Sequence, residues 1–144
     1  MIPIGADHAG FELKQVIINY LIKKGLEVKD YGCHSNESID YPDFAHPVAE
    51  DVECGNNTLG ILICGSGNGI NMTANKHQGI RAGLVWNNEI VELIRLHNDA
   101  NVLTIPARFV SLQQALGFVE IFLNTPFEGG RHQNRVAKIP TKCC

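Results

Sequence analysis

No segment of this sequence is long and apolar enough to span a bilayer. No charge of one sign dominates: the net charge is −3 and the isoelectric point is close to neutral. That balance argues against a general binder of nucleic acid or membrane surface. Repeats, low-complexity tracts and linkers are lacking, and no Gly-Lys-Ser/Thr step exists to build a P-loop. Nor do the cysteines form a framework. Cys33, Cys54, Cys64, Cys143 and Cys144 are odd in number and scattered, and no signal peptide is expected ahead of the first strand-like run. They are expected to be reduced thiols in a cytoplasmic protein. What remains, at 144 residues and 44% hydrophobic, is one expected domain over 1–144 whose core needs no disulfide or metal.

The hydrophobic pattern alternates between two periods. An apolar run at 1–6 is followed by Leu13, Val16, Ile17, Tyr20 and Leu21, spaced as one face of a helix that stops at Gly25. Leu26 to Tyr31 reads as a second strand and Gly32 to Tyr41 as a polar loop. Pro42 starts a helix with Ala45, Val48, Ala49 and Val52 inward. Leu59 to Cys64, apolar on every side, predicts a parallel strand covered on both faces. After a short helix come a strand at 80–85, a helix at 88–96 and a strand at 102–105. Ser111 then caps a helix reaching Leu123, and a basic helix covers about 130–136. This alternation implies an α/β fold: a single-domain, doubly wound, Rossmann-like five-stranded parallel sheet with helices on both faces. Ligands in such sheets bind beyond the C-terminal strand ends, where Asp7-His8 and Cys64-Gly65 both fall. Pro3 conflicts with its strand, because a central strand should not lose a donor; a place at the first paired residue would tolerate it.

The run from Cys64 through Gly65, Ser66, Gly67, Asn68 and Gly69 puts one thiol against a loop whose backbone N–H groups can gather round an anion. It is not a dinucleotide fingerprint. Ile70 holds the sixth position, no acidic residue ends the strand near Val85, and the loop follows the third strand instead of the first. A free cysteine is most often a small buried hydrophobe, but the following N–H groups and a helix N-terminus would favour a thiolate at Cys64. The other four cysteines lack that setting, and a metal at Cys64 with His8 or His97 lacks paired ligands at short spacing. His97 alone would be an ordinary surface histidine; beside a strand-end site it can give and take a proton, with Asn98 as a neutral partner. Arg131 and Arg135, four apart on one helical face, suit a phosphate dianion. His8 could add a donor, and Arg108 follows a strand near the same sheet edge.

Seven runs together resemble ribose-5-phosphate isomerase type B, within a wider family that includes galactose-6-phosphate isomerase. They are Gly5 to Phe11, Asp40 to Asp43, Ile63 to Gly69, Ala74 to Lys76, Gly79 to Ala82, His97 to Asn101 and Phe127 to His132. Their order and spacing are compatible over almost the whole chain. The resemblance implies an aldose-ketose isomerase of pentose phosphate metabolism, with no metal or organic cofactor. It implies Cys64 as the base moving a proton between C2 and C1, and His97 as the residue that opens the furanose ring. Asp7, His8, Asn98 and Arg108 would contact substrate, Gly65, Ser66, Gly67, Asn68 and Gly69 would hold the enediolate oxygens, and Arg131 and Arg135 would grip the phosphate. It further implies a homodimer or homotetramer with each site built from two subunits. A 6-phosphohexose such as allose or galactose 6-phosphate is the alternative substrate. A non-catalytic sugar-phosphate sensor would be expected to have lost Cys64 or His97, and both are present.

Overall fold

Three strands are apolar or buried at every position because each lies inside the sheet with helices over both faces. They are β1 (Ile2–Ala6), β3 (Gly60–Cys64) and β5 (Val102–Pro106). The edge strands β2 (Val28–Asp30) and β4 (Ala82–Leu84) are shorter than the spans expected at 26–31 and 80–85; β2 is mostly exposed and β4 part-buried. The computed structural model describes residues 1–55 and 59–141, and in it all five strands pair in parallel in the order β2-β1-β3-β5-β4. The tail residues Cys143 and Cys144 lie outside the described residues.

Period-two alternation sorts the side chains between two packing layers. Ile61, Ile63, Leu103 and Ile105 join the layer under α1 (Phe11–Lys23), α4 (Asn88–Leu96) and α5 (Leu112–Asn124), with Ile17, Leu21, Val91, Phe118 and Phe122. Leu62, Cys64 and Val102 join the layer under α2 (Pro42–Glu53) and α3 (Asn68–Ala74), with Ala45, Val48, Val52, Ile70 and Ala74. Cys64 therefore points towards α2 and α3. The expected cap at Ser111 is a full capping box: its hydroxyl accepts from the Gln114 N–H, and the Gln114 side chain accepts from the Ser111 N–H. A final short helix, α6 (Arg131–Val136), follows two glycines with positive φ.

Pro3 finds its tolerance in the register. Ile2 and Ala6 send their N–H groups towards β2, to Glu27 and Gly32, while Asp7 sends its own to Ile63 of β3 at 3.2 Å. The missing donor of Pro3 therefore faces β3, whose pairing with β1 begins only at Ile4 and Ile61. The sheet order also reverses direction between β1 and β3, since the chain leaves β1 for β2 on one side and continues from β3 on the other. That reversal opens a crevice at the C-terminal ends of these two strands.

Candidate active site

The crevice is lined by the residues that follow β1 and β3. Asp7 is buried, and its Oδ1 accepts from the Gly10 N–H at 3.1 Å, capping the single 3-10 turn over His8–Gly10. At Gly10 a Cβ would stand 2.8 Å from the Ile63 carbonyl oxygen, so glycine lets the two turns touch. His8 Nδ1 accepts from the Ile39 N–H at 3.4 Å. That leaves Nε2 as the donor of the neutral ring.

Cys64 is 4% exposed, and the N–H groups of Ser66, Gly67 and Ile70 reach its sulfur. Gly67 makes the bend at φ +75°, against Leu84, and Tyr41 lays its ring on Gly69 so closely that a Cβ there would be 2.5 Å from the phenol carbon. The Ala107 and Arg108 N–H groups donate to the Cys64 and Gly65 carbonyls at 2.9 and 3.0 Å, extending the pairing past β5. The Arg108 guanidinium then rests over Gly65, 3.3 Å from where a Cβ would be. Burial pushes the Cys64 thiol above its ordinary value and the Asp7 carboxylate adds to this; the N–H groups of Ile70, Gly67 and Ser66 pull the other way. The expectation of a resting thiol biased to thiolate by its loop is thus corrected: removal from water outweighs the N–H groups.

His97, Asn98, Arg131 and Arg135 gather elsewhere. α4 starts at the strand-end edge, where Asn87 Oδ1 accepts from the Ile90 N–H at 2.8 Å, and runs back antiparallel to the strands. Its C-cap, His97, therefore reaches the opposite edge, about 13 Å away for nine residues at about 1.5 Å each. There the chain turns through Asp99, held by Arg81 and Arg95 on its two carboxylate oxygens at 3.0 Å each, and enters β5. The Glu128 N–H donates to the Leu96 carbonyl at 3.1 Å and fastens the approach to α6 onto the end of α4. The His97 ring stacks on His132 with centroids 4.2 Å apart and planes within 10°. Glu128 Oε2 lies 3.7 Å from His97 Nε2 and 3.8 Å from His132 Nε2. Burial foremost, then the charges of His97 and Arg131, push the His132 imidazole below its usual value. Arg131 and Arg135 stay exposed on α6, and Asn98 is exposed beside His97.

One chain thus holds two half-sets. Asp7, His8, Cys64, the 65–69 loop and Arg108 meet at the C-terminal edge; His97, Asn98, Arg131 and Arg135 meet at the other. The expectation that His97 stands beside a strand-end site does not hold within a single chain, because a helix that follows a parallel strand must return to the strand origins. Sequence reasoning passed over Tyr41, Glu128 and His132. The last two carried a signal in their four-residue spacing, whereas nothing local announces the packing of Tyr41 on Gly69. His97, Glu128 and His132 also bring three ligand atoms within 4.8 Å of one another. Their stacked rings keep the nitrogen lone pairs in parallel planes, a poor set for one ion.

Comparison with known proteins bears on what such a pair of half-sets serves. A family model described as Ribose/Galactose Isomerase matches residues 2–139. This chain belongs to that family. Membership makes it an enzyme of the sugar-phosphate isomerase class, an intramolecular oxidoreductase. Ribose-5-phosphate isomerase B of Escherichia coli (strain K12) is 46% identical over 138 residues, 96% of this chain and 93% of that protein. Among solved structures, ribose-5-phosphate isomerase B of Clostridium thermocellum is 50% identical with a TM-score of 0.94, covering 96% of this chain and 93% of that one. The Mycoplasma genitalium enzyme with bound ribulose-5-phosphate is 44% identical with a TM-score of 0.92, covering 96% and 92%. The family resemblance and the doubly wound parallel sheet expected from the sequence are both borne out.

Proposed function

We propose that the protein interconverts D-ribose 5-phosphate and D-ribulose 5-phosphate through a cis-enediolate, in pentose phosphate metabolism, at a site shared by two copies of the chain. The observation that carries this reading is the split itself. One sheet edge has a buried thiol ringed by N–H groups, and the other has a half-buried histidine and two exposed arginines. A two-fold pair sets the C-terminal edge of one copy against the opposite edge of its partner and makes two equal sites, and a tetramer is two such pairs. The names of the relatives support the substrate. The free thiols of Cys33, Cys54 and Cys64 fit the cytoplasm, where we place the protein.

The chemistry follows from the half-sets. Arg131 and Arg135 of one copy bind the phosphate dianion, with His8 of the other as a further donor. His97 gives a proton to the ring oxygen and takes the one on O1, which opens the sugar to its aldehyde. Cys64 thiolate removes the C2 proton. The freed electron pair becomes the C1–C2 double bond, and the carbonyl pair moves onto O1, which the N–H groups of the 65–69 loop receive. A proton passes from O2 to O1, the thiol returns its proton to C1, and the ketone stands at C2. Asp7, Asn98 and Arg108 hold the remaining hydroxyls.

Magnitudes rank the contributions. An ordinary thiol is a few per cent ionised at pH 7, so full ionisation would gain roughly 30-fold, about 2 kcal/mol. One preorganised oxyanion donor is worth about 2.7–4 kcal/mol. Several donors in one loop therefore outweigh the tuning of the base. Because the N–H groups of Ser66, Gly67 and Ile70 also pull on the sulfur, the negative charge passes from thiolate to enediolate inside one cradle.

Mixing two dead variants tests the shared site. Cys64→Ala and His97→Ala should each fail to turn over ribose 5-phosphate. After subunit exchange at equal amounts, roughly a quarter of the sites should again hold both residues. No recovery in the mixture would sink the two-copy site. Measuring kcat/KM for ribose, allose and galactose phosphates side by side decides between pentose and hexose.

A further inference from the structure

Outside the residues proposed for catalysis, α2 and the turn after α3 bring two imidazoles together. His46 Nδ1 and His77 Nε2 lie 2.9 Å apart, with ring planes inclined at 55°. The other nitrogen of His77, Nδ1, is 3.0 Å from Glu53 Oε2, and the Gly79 N–H fixes that carboxylate by donating to Oε1 at 2.7 Å. A neutral histidine carries one ring proton. With Nδ1–H given to Glu53, the bare lone pair of His77 sits on Nε2 and faces His46. A carboxylate behind an imidazole, orienting its free nitrogen, is the support that metal-ligating histidines have. His46 is exposed and needs only to carry its own proton on Nε2, towards water, to turn a second lone pair into the same space.

We propose that His46 and His77 form a two-imidazole chelate for a borderline divalent cation of the Ni2+ and Zn2+ class, separate from the isomerase centre. Metal–nitrogen bonds of about 2.0–2.1 Å put adjacent ligand nitrogens about 3.0–3.4 Å apart. The rings therefore need to part by only a few tenths of an ångström. Water would complete the shell around the two imidazoles. The contrast with His97 and His132 is geometric: those rings stack, whereas His46 and His77 are tilted and their nitrogens converge. A bound ion would tie α2 to the 75–80 turn.

The test titrates nickel(II) chloride calorimetrically into the full-length wild type and into His46→Ala, His77→Ala and Glu53→Gln, following ribose 5-phosphate turnover alongside. The wild type should bind one equivalent that both alanine variants lose. Glu53→Gln should bind it about 10- to 100-fold more weakly, and nickel-free His46→Ala should turn over as the wild type does. An isotherm for His46→Ala that matches the wild type overturns the proposal and leaves the pair a simple N–H···N hydrogen bond. So does binding that survives in both alanine variants while suppressing turnover, which would seat the ion at His97 and His132.

Discussion

The two edges of the sheet are built from different materials. At the C-terminal edge the candidate groups are backbone amides, a thiol 4% exposed and a carboxylate 7% exposed, all pinned by glycines that admit close contact. At the opposite edge they are long, exposed cationic side chains on a six-residue helix, plus one histidine held by stacking. Rigid dipoles suit charge that appears only in a transition state, because they need no reorganisation when it does. Flexible guanidinium groups suit a charge present throughout, such as a phosphate dianion. The proposed reaction divides its labour along the same line: the C2–C1 proton transfer falls to one edge, phosphate capture and ring opening to the other.

Breaking the chemical edge should cost most. Cys64→Ala is expected to lower kcat by about a hundred- to ten-thousandfold, the usual worth of a positioned base. Sugar-phosphate affinity, measured calorimetrically, should stay nearly unchanged. Undiminished turnover would remove the thiol from the mechanism. The capture edge should respond in the other kinetic constant. Arg131→Ala and Arg135→Ala each remove a charged hydrogen bond, and KM should rise about tenfold or more with kcat little altered. A fall in kcat at constant KM in these variants would mean that the arginines act on the reacting atoms, and the contrast between the edges would dissolve.

Pattern carried most of the fold. The runs at 1–6, 59–64 and 102–105 became strands, that at 59–64 covered on both faces as expected, and Ser111 caps its helix as expected. The end strands came out shorter than the spans expected at 26–31 and 80–85, since Leu26, Ile80 and Val85 lie outside β2 and β4. The site was legible as two lists of residues without their relative position. Direction was available in principle: a helix after a parallel strand returns to the strand origins, so His97 at the end of α4 could not share an edge with Cys64. Burial was not available. Alternation tells which face Cys64 takes but not how tightly α2 and α3 cover it, and so the thiol's shift away from thiolate was missed. Contacts between residues far apart in the chain, such as Tyr41 on Gly69 or His46 with His77, leave no local trace at all.

The subtlest consequence lies within the chemical edge. Asp7 is doing two opposed things to Cys64: it caps the turn that shapes the crevice, and its negative charge helps to hold the thiol protonated. Asp7→Asn separates these, because the amide keeps an Oδ1 to accept the Gly10 N–H while the charge is lost. In the wild type, kcat/KM should climb with pH on a limb set by the thiol, displaced above the ordinary thiol range by burial and by Asp7. Removing the charge favours the ionised form, so the limb in Asp7→Asn should move to lower pH. The plateau should fall somewhat, because a thiolate that forms more easily is a weaker base and one substrate contact is altered. A limb that stays where it was would assign the displacement to burial alone. Movement to higher pH would mean that the carboxylate stabilises the thiolate, for instance through a bridging proton, reversing the electrostatic order within the crevice.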